Sequence, residues 1–167
     1  ARIAVRGLTR SFGGPPVLDR LGLSVAPGET VVVLGASGSG KTTLLRLVAG
    51  LELPDAGEID LDGAPASRPG WAVPPHRRGI GFAFQRSALW PHLTVAGNIA
   101  FGLHGLPRDG VRAHVSEWLE RMDLVGLGER YPDQLSGGQA QRVALARALA
   151  PAPRTLDLIL TPRARAI

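Results

Sequence analysis

Apolar residues recur at a spacing of two near the N-terminus, before and after a turn rich in Gly and Pro at residues 13–16. They are Ile3, Val5, Leu21, Leu23 and Val25. This spacing places side chains on one face of a strand. The pattern therefore predicts two antiparallel strands joined by a turn.

A continuous apolar run at residues 31–34 follows a turn at Pro27-Gly28. A run of this kind is typical of a parallel strand that is buried on both faces. A glycine-rich loop comes next, and the pattern after it predicts a helix over Lys41–Ala49 that ends at Gly50.

The middle of the chain alternates turns and short apolar segments. A turn at residues 54–57 precedes EIDLDG, which predicts a further strand. Residues 64–75 are rich in Pro and Ala, and we expect a loop there. An apolar strand is predicted over residues 80–84, ending at Gln85.

The pattern becomes helical beyond Gln85. One apolar stripe at helical spacing consists of Val111, Val115, Trp118, Leu119 and Met122. Asp109 is expected to cap this helix, and Glu117 and Arg121 are spaced to pair on its surface. A second helix is predicted over residues 139–150, after the sequence LSGG.

The composition limits the class of protein. No stretch approaches the roughly 20 apolar residues of a membrane-spanning helix, and the N-terminal sequence ARIAVRGL lacks the apolar block of a signal peptide. Cysteine is absent, which excludes disulfides within this sequence and fits a reducing cytosol. We expect a soluble intracellular domain.

The charge pattern argues against a specific nucleic-acid role. The net charge is +5, but the basic residues are scattered and form no long run. A nucleic-acid site needs such charges clustered on one face. A basic surface that faces lipid headgroups beside a membrane partner is an alternative. Of the 19 Lys and Arg residues all but Lys41 are Arg, and Lys41 lies inside GASGSGKTT.

That glycine-rich stretch matches the phosphate-loop pattern G-x-x-x-x-G-K-[ST]. Glycines let successive backbone N–H groups converge on phosphate oxygens, and the following helix adds the positive end of its dipole. Lys41 supplies charge for the β- and γ-phosphates, and the Thr42 hydroxyl is placed to bind Mg²⁺. The predicted nucleotide-binding residues are Gly35, Ala36, Ser37, Gly38, Ser39, Gly40, Lys41, Thr42 and Thr43. The alternative is a Gly/Ser turn that binds nothing.

A second glycine motif precedes AQRVALARALA, and it consists of Leu135, Ser136, Gly137, Gly138 and Gln139. Ser136 could simply cap a helix, but Ser-Gly-Gly at a helix N-terminus is also an anion-binding arrangement. The two motifs together resemble the ABC ATPase family over residues 1–153. The resemblance implies that this signature closes on ATP held by a second subunit, in a head-to-tail homodimer with two ATP molecules at the interface.

The resemblance assigns two further residues. Phe12, in LTRSFGG, stands where the family has an aromatic residue that stacks on adenine, and Gln85, in GFAFQ, stands where it has the Q-loop glutamine. Phe12 could instead be a core aromatic, and Gln85 a polar strand end. The implied catalytic residues are Lys41 and Gln85, the implied Mg²⁺ ligands are Thr42 and Gln85, and the implied cofactors are ATP and Mg²⁺.

The stretch PPHRRGIGFAFQRSALWPHLTVAGNIAFGL is similar to importer ATPases for iron(III), polyamines, sulfate or molybdate. In those proteins this region accepts a short cytoplasmic helix of the permease, an integral-membrane partner. Trp90, Pro91, His92 and Leu93 are the candidates for that surface. The alternative is that Trp90 and Leu93 pack in the core of their own helical subdomain.

The resemblance stops near Pro153. The family's spacing places the Asp-Glu pair that serves Mg²⁺ and the attacking water at Ile159 and Leu160, which are apolar. Asp157 lies one side-chain period earlier, roughly 6–7 Å away along a strand. We therefore expect poor hydrolysis, and we interpret the tail at residues 154–167 as a frameshift or truncation rather than an evolved specialisation.

These inferences combine into a P-loop α/β core with an antiparallel β-subdomain on its N-terminal side and a helical subdomain near residues 87–135. The implied function is the ATP-hydrolysing, energy-coupling subunit of an ABC importer on the inner face of the cell membrane. One alternative is a non-transport ABC ATPase, but Gln85 and Leu135 lie too close for a long coiled-coil insertion. The other is a nucleotide-binding remnant without turnover.

Overall fold

A computed structural model describes residues 3–83, 87–153 and 155–158, the last of these in backbone only. The chain divides into two compact units, residues 1–80 and residues 81–167. Gln85, Ile159 and Leu160 lie outside the described residues, so the predictions made for these positions remain predictions.

The first unit contains a five-stranded antiparallel sheet with the strand order β2-β1-β3-β4-β5. Its strands are β1 (Ile3–Arg10), β2 (Leu18–Val25), β3 (Ala56–Leu61), β4 (Ala64–Arg68) and β5 (Trp71–Ala72). In the β1–β2 register Ile3 pairs with Val25 and Val5 pairs with Leu23. The two antiparallel strands predicted from the alternating pattern are confirmed.

One helix, α1 (Lys41–Ala49), completes the core of this unit. Its side chains Leu44, Leu47 and Val48 are buried in the same cluster as Val5 and Ile59 of the sheet. The helix ends at Gly50, whose φ of 78° lies in the left-handed region that glycine adopts without strain. Both ends of the predicted helix are confirmed.

The loop expected at residues 64–75 is wrong, because β4 and β5 lie there and are followed by a short 3₁₀ turn at Pro75–Arg77. Ser67 pairs with Ile59 of β3 and is buried, as is Ala66. Small side chains let this strand pack closely, and a composition of Pro and Ala does not reveal that. Asp62 and Gly63 both have positive φ, as a tight hairpin turn requires.

The buried parallel strand expected at residues 31–34 is also not found. No strand is assigned there, and Val32 is 71% exposed and Leu34 83% exposed. A strand forms only beside a hydrogen-bonded neighbour. Among the described residues, neither the five-stranded sheet nor the pair formed by β6 (Ile80–Ala83) and β7 (Thr155–Leu158) includes this run.

The second unit is mainly helical, with α2 (Val95–Ala100), α3 (Arg108–Arg121) and α4 (Gly137–Leu149). A short 3₁₀ turn, Pro132–Gln134, precedes α4. The core that these helices share consists of Val95, Ile99, Leu103, Val115, Trp118, Leu124, Val143, Ala146 and Ala150. The helical character predicted for this region is confirmed.

Two details at helix ends differ from expectation. Pro107, not Asp109, is the N-cap of α3. Asp109 lies in the first turn, where its negative charge interacts favourably with the positive end of the helix dipole. The predicted α4 begins two residues earlier than expected, at Gly137, because Ser136 caps it. The surface pair of Glu117 and Arg121 is present.

Candidate phosphate-binding site

The ammonium group of Lys41 lies inside its own loop. Its Nζ donates hydrogen bonds to the carbonyl oxygens of Gly35 at 2.7 Å and Ala36 at 2.6 Å, and to the Ser39 hydroxyl at 3.2 Å. These contacts curl residues 35–41 around one positive charge. Charge-assisted bonds of this kind hold the ammonium in place without neutralising it.

Two glycines in this loop have backbone conformations that other residues rarely adopt. Gly38 has a φ of 83° and Gly40 a φ of 86°. At Gly40 a Cβ atom would lie 2.8 Å from both the carbonyl oxygen of Val17 and Cδ2 of Leu18. Since a backbone carbonyl cannot move aside cheaply, only glycine fits between the loop and residues 17–18.

The loop leads into the N-terminus of α1, where Gly40 is the N-cap and offers no side-chain acceptor. The first N–H groups of a helix have no partner within it and carry the positive end of its dipole. A cavity of about 130 Å³ opens at this point, lined by Val17, Gly38, Ser39, Gly40, Lys41, Thr42 and Thr43. Backbone N–H groups, an ammonium and hydroxyls suit an anion such as phosphate.

Three of the predicted loop residues, Gly35, Ala36 and Ser37, are not among the residues that line this cavity. Gly35 and Ala36 contribute the carbonyl groups that hold Lys41, whereas Ser37 is exposed in the loop. Thr42 is exposed, so its hydroxyl can reach a metal ion bound to phosphate. Within the described residues no cluster of three or more His, Asp or Glu could hold a metal. The Thr42 hydroxyl is an oxygen ligand of the kind that Mg²⁺ accepts beside phosphate oxygens.

The Phe12 ring stands free of the core, with 57% of the residue exposed. Its loop is closed by a hydrogen bond from the Val17 N–H to the Arg10 carbonyl oxygen at 2.8 Å, and Val17 also lines the phosphate cavity. The loop that carries Phe12 is thus attached to the cavity wall. Such exposure is unusual for a core aromatic and suits a ring that stacks on a ligand.

An acidic side chain fixes the start of this loop. Asp55 accepts hydrogen bonds from the Ser11 N–H at 2.7 Å, from Arg10 at 2.7 Å and from the Ser11 hydroxyl at 3.1 Å. The Ser11 amide, and after it the Arg10 guanidinium, hold the pKa of the Asp55 carboxyl below its usual value. Sequence reasoning missed Asp55, because a turn at residues 54–57 is enough to explain an aspartate there.

The Ser136 motif forms the start of α4. The Ser136 hydroxyl accepts a hydrogen bond from the Gln139 N–H at 3.2 Å, and the Gln139 side chain accepts one from the Ser136 N–H at 2.9 Å. This reciprocal arrangement is a capping box. Gly137 and Gly138 are exposed, and a Cβ at either would meet nothing within 4 Å. Leu135 is partly buried against the helical core.

The segment carrying Trp90 exposes a group of aromatic rings. Trp90 is 42% exposed, and its ring centroid lies 5.3 Å from that of Phe101 and 6.2 Å from that of His92. Pro91 and His92 are exposed, and Leu93 is partly buried. Trp90 is thus on the surface, contrary to the alternative that it fills the core.

A buried amide holds the backbone of that segment. Asn98 is fully buried; its Oδ1 accepts from the Trp90 N–H at 2.8 Å, and its Nδ2 donates to the carbonyl oxygens of Trp90, Leu93 and Thr94. Thr94 in turn caps α2 by accepting from the Gly97 N–H at 3.1 Å. Sequence reasoning missed Asn98, because its role depends on burial.

A second buried polar group, the side chain of Arg78, lies at the C-terminal end of α1. The Arg78 guanidinium donates to the carbonyl oxygens of Val48 at 2.7 Å and Ala66 at 2.9 Å, and to the Ser67 hydroxyl at 2.7 Å. Burial lowers the pKa of Arg78, which nonetheless remains charged at neutral pH. In the sequence it belongs to an Arg-Arg pair that resembles a surface patch.

Residues 18–158 match the family described as ABC transporter. The chain is 51% identical over 158 residues to the sulfate/thiosulfate import ATP-binding protein CysA of Thermosynechococcus vestitus, covering 93% of this chain and 46% of that protein. It is 52% identical to the Fe(3+) ions import ATP-binding protein FbpC of Streptomyces coelicolor, covering 93% of this chain and 44% of that one. The chain therefore spans about half the length of these relatives.

The fold matches solved ATP-binding cassettes. A dimeric structure of the cassette MJ0796 in a post-hydrolysis state, bound to ADP and Pi, superposes with a TM-score of 0.84 at 32% identity, over 93% of this chain and 72% of that one. A glycine loop around Lys41 at a helix start, a capped Ser-Gly-Gly helix and this match define the class: an α/β ATP-binding cassette of the P-loop type, with an antiparallel β-subdomain and a helical subdomain. The chain belongs to the ABC transporter family. Among the described residues, none of the helices is long and apolar enough to cross a membrane.

Proposed function

We propose that this chain is the ATP-binding, energy-coupling part of an ABC importer. The observation that carries the proposal is the Lys41 ammonium, held by Gly35, Ala36 and Ser39 at the N-terminus of α1 beside an open cavity. The similarity to import ATP-binding proteins for sulfate, Fe(3+) and spermidine/putrescine supports the transport role.

In this proposal the cavity binds the triphosphate of ATP. Lys41 turns from the loop carbonyls to the β- and γ-phosphates, and the N–H groups of the first turn of α1 bind phosphate oxygens. The Thr42 hydroxyl would hold Mg²⁺, which when bound would supply positive charge to the phosphates. Phe12 stacks on the adenine ring.

The Ser136 motif acts on ATP that a second copy of the chain holds. Ser136 caps α4, and the two exposed glycines leave its N-terminus open to a phosphate group. Two copies in head-to-tail arrangement would enclose two ATP molecules. The dimeric structures of MJ0796 are consistent with such an assembly.

The exposed aromatic rings at Trp90 form the surface for a permease helix. A cytoplasmic subunit docked in this way lies at the inner face of the cell membrane. Closing and opening of the dimer would then be passed to the permease as alternating access. Asn98 supports this proposal, because it gives the Trp90 segment one fixed backbone conformation before any partner binds.

Hydrolysis is the step for which we expect a deficit. We propose that Gln85 would lie beside Mg²⁺ and the γ-phosphate. The sequence has Ile159 and Leu160, however, where the family's spacing puts the Asp-Glu pair. Losing a group that positions water or metal costs orders of magnitude in rate. This favours a second candidate function, a cassette that binds ATP with little or no turnover.

A titration with mant-ATP and Mg²⁺ tests the proposal. Wild-type chain should bind at millimolar levels or better, and K41A should weaken binding by at least about tenfold, because a charge-assisted contact to phosphate is lost. R112A removes a positive charge at an exposed position of α3 that does not line the cavity, and it serves as the control. Lack of binding to folded wild-type chain would refute nucleotide binding, and normal turnover free of contaminating ATPase would refute the hydrolysis deficit.

A further inference from the structure

We propose that Arg10 is a positioning residue for the nucleotide base: its guanidinium backs one face of the Phe12 ring and leaves the other face for the purine. The proposal rests on the nucleotide-binding function proposed above. It adds a residue to the base site that contacts neither phosphate nor metal.

The geometry places the cation over the ring. The guanidinium carbon of Arg10 lies 4.7 Å from the centroid of Phe12, within the range of a cation–π contact. Phe12 is nevertheless 57% exposed, so much of the ring remains available to a ligand. One covered face and one open face form a one-sided stacking platform.

Arg10 is not a freely moving surface side chain. Its Nη1 donates to Asp55 at 2.7 Å, and its Nε lies 3.8 Å from Glu52. Glu52 is paired in turn with Arg46 of α1 at 2.8 Å. The hydrogen bond to Asp55 therefore restrains the guanidinium, and the Glu52 carboxylate adds a second negative charge close to it.

The same residue also anchors the loop through its backbone. The Arg10 carbonyl oxygen accepts from the Val17 N–H at 2.8 Å, and Val17 lines the phosphate cavity. Asp55 holds Ser11, the residue next to Phe12, at 2.7 Å. The ring is thus ordered before a base arrives, which lowers the entropic cost of stacking.

Comparing ATP with inorganic tripolyphosphate, which lacks the purine base, distinguishes this role from phosphate binding. We expect R10M to weaken ATP binding about two- to fivefold, the range that an exposed cation–π contact gives. Binding of inorganic tripolyphosphate should stay unchanged, because Arg10 does not line the cavity. R10K, which keeps the charge but not the planar group, should fall between R10M and wild type. Equal losses for both ligands would overturn the proposal, since a merely structural role affects both.

Arg6 provides the matched control. It lies on β1 like Arg10 and pairs with Glu58 at 2.7 Å and Asp60 at 2.8 Å, both of which belong to β3. R6M should leave both affinities unchanged. A loss of ATP affinity in R6M as large as that in R10M would attribute the effect to β1 as a whole and overturn the proposal. D55N tests the anchor without removing Arg10, and we expect a smaller loss that is again confined to ATP.

The F12A variant distinguishes an error in the role of Arg10 from an error in the proposal that the base stacks on Phe12. If F12A lowers ATP affinity but not tripolyphosphate affinity, the base stacks on Phe12; adding R10M to F12A should then have no further effect. An R10M effect that persists in F12A would overturn the positioning role. If F12A changes neither affinity, the base site on Phe12 is wrong, while a cavity that still binds tripolyphosphate leaves the phosphate site intact.

Discussion

The guanidinium of Arg78 donates a hydrogen bond to the carbonyl oxygen of Val48 at 2.7 Å, on the helix that begins at Lys41. The carbonyl groups at a helix C-terminus have no partner within the helix and carry its negative end. A buried cation therefore satisfies one end of α1, and the phosphate cavity lies at the other. The same guanidinium also reaches β4 through Ala66 and Ser67, so it joins the helix to the sheet.

We predict that R78M destabilises the chain by about 2–4 kcal/mol, because several buried carbonyl groups lose a charged donor. R77M, at the exposed neighbouring position, should change stability by no more than about 0.5 kcal/mol. Urea denaturation followed by circular dichroism measures both. Equal stability of the two variants would show that Arg78 is not a structural link.

G40A should damage the phosphate loop for two reasons, a positive φ and a collision with the Val17 carbonyl. The backbone term alone costs about 1–2 kcal/mol for a residue with a Cβ. G63A isolates that term, since Gly63 has a φ of 78° but no atom within 4 Å of the position that a Cβ would occupy. We expect G40A to be the less stable variant and to lose tripolyphosphate binding, whereas G63A keeps it. Calorimetric melting and isothermal titration measure these quantities.

The Asp55 carboxyl should contribute a pH dependence of folding stability that is confined to acidic pH. Its pKa is lowered in the folded chain by the Ser11 N–H and by Arg10, so the folded state binds its proton less readily than the unfolded state. The contribution is fully present above the ordinary carboxyl pKa and is lost as the pH falls through the lowered value. NMR titration of the side-chain carboxyl should give a midpoint below that of an unfolded peptide. In D55N the acid limb of the stability curve should become shallower; an unchanged limb would contradict this.

The signature glycines should be dispensable for the isolated chain. Neither Gly137 nor Gly138 has a positive φ, and a Cβ on either meets open space. G138A should therefore keep the melting temperature and mant-ATP binding of the wild type, since alanine is favoured in helices. ATP-dependent dimer formation, measured by analytical ultracentrifugation, should be lost. Loss of stability instead would assign this glycine to the fold rather than to a partner's nucleotide.

The parts of the fold that can be predicted correctly have local signals. The bounds of Lys41–Ala49 follow from the sequence because a glycine loop precedes the helix and Gly50 stops it. The β3–β4 hairpin is missed although Asp62-Gly63 is a strong hairpin signal, since the Pro and Ala content nearby outweighs it.

Other features depend on contacts that a sequence does not display. Residues 31–34 have the composition of a buried strand, but they are buried only if neighbouring strands or helices cover them. The apolar pattern of the run does not show whether such neighbours exist. Arg78 is buried and binds a carbonyl group of a residue distant in sequence. Asn98 is buried and binds carbonyl groups of the turn that precedes it. The phosphate loop can be recognised because its functional groups belong to consecutive residues. Arg78 and Asn98 cannot be recognised in this way, because their roles depend on the folded structure.

The exposed apolar run at residues 31–34 has a practical consequence for handling the protein. Val32 and Leu34 present β-branched and aliphatic side chains to water in a segment with no assigned strand pairing. Exposed segments with high β-propensity and no charge pair readily with copies of themselves, and such pairing leads to aggregation. Concentrated samples should therefore grow turbid with time, and V32K should delay that turbidity by placing a charge in the contact.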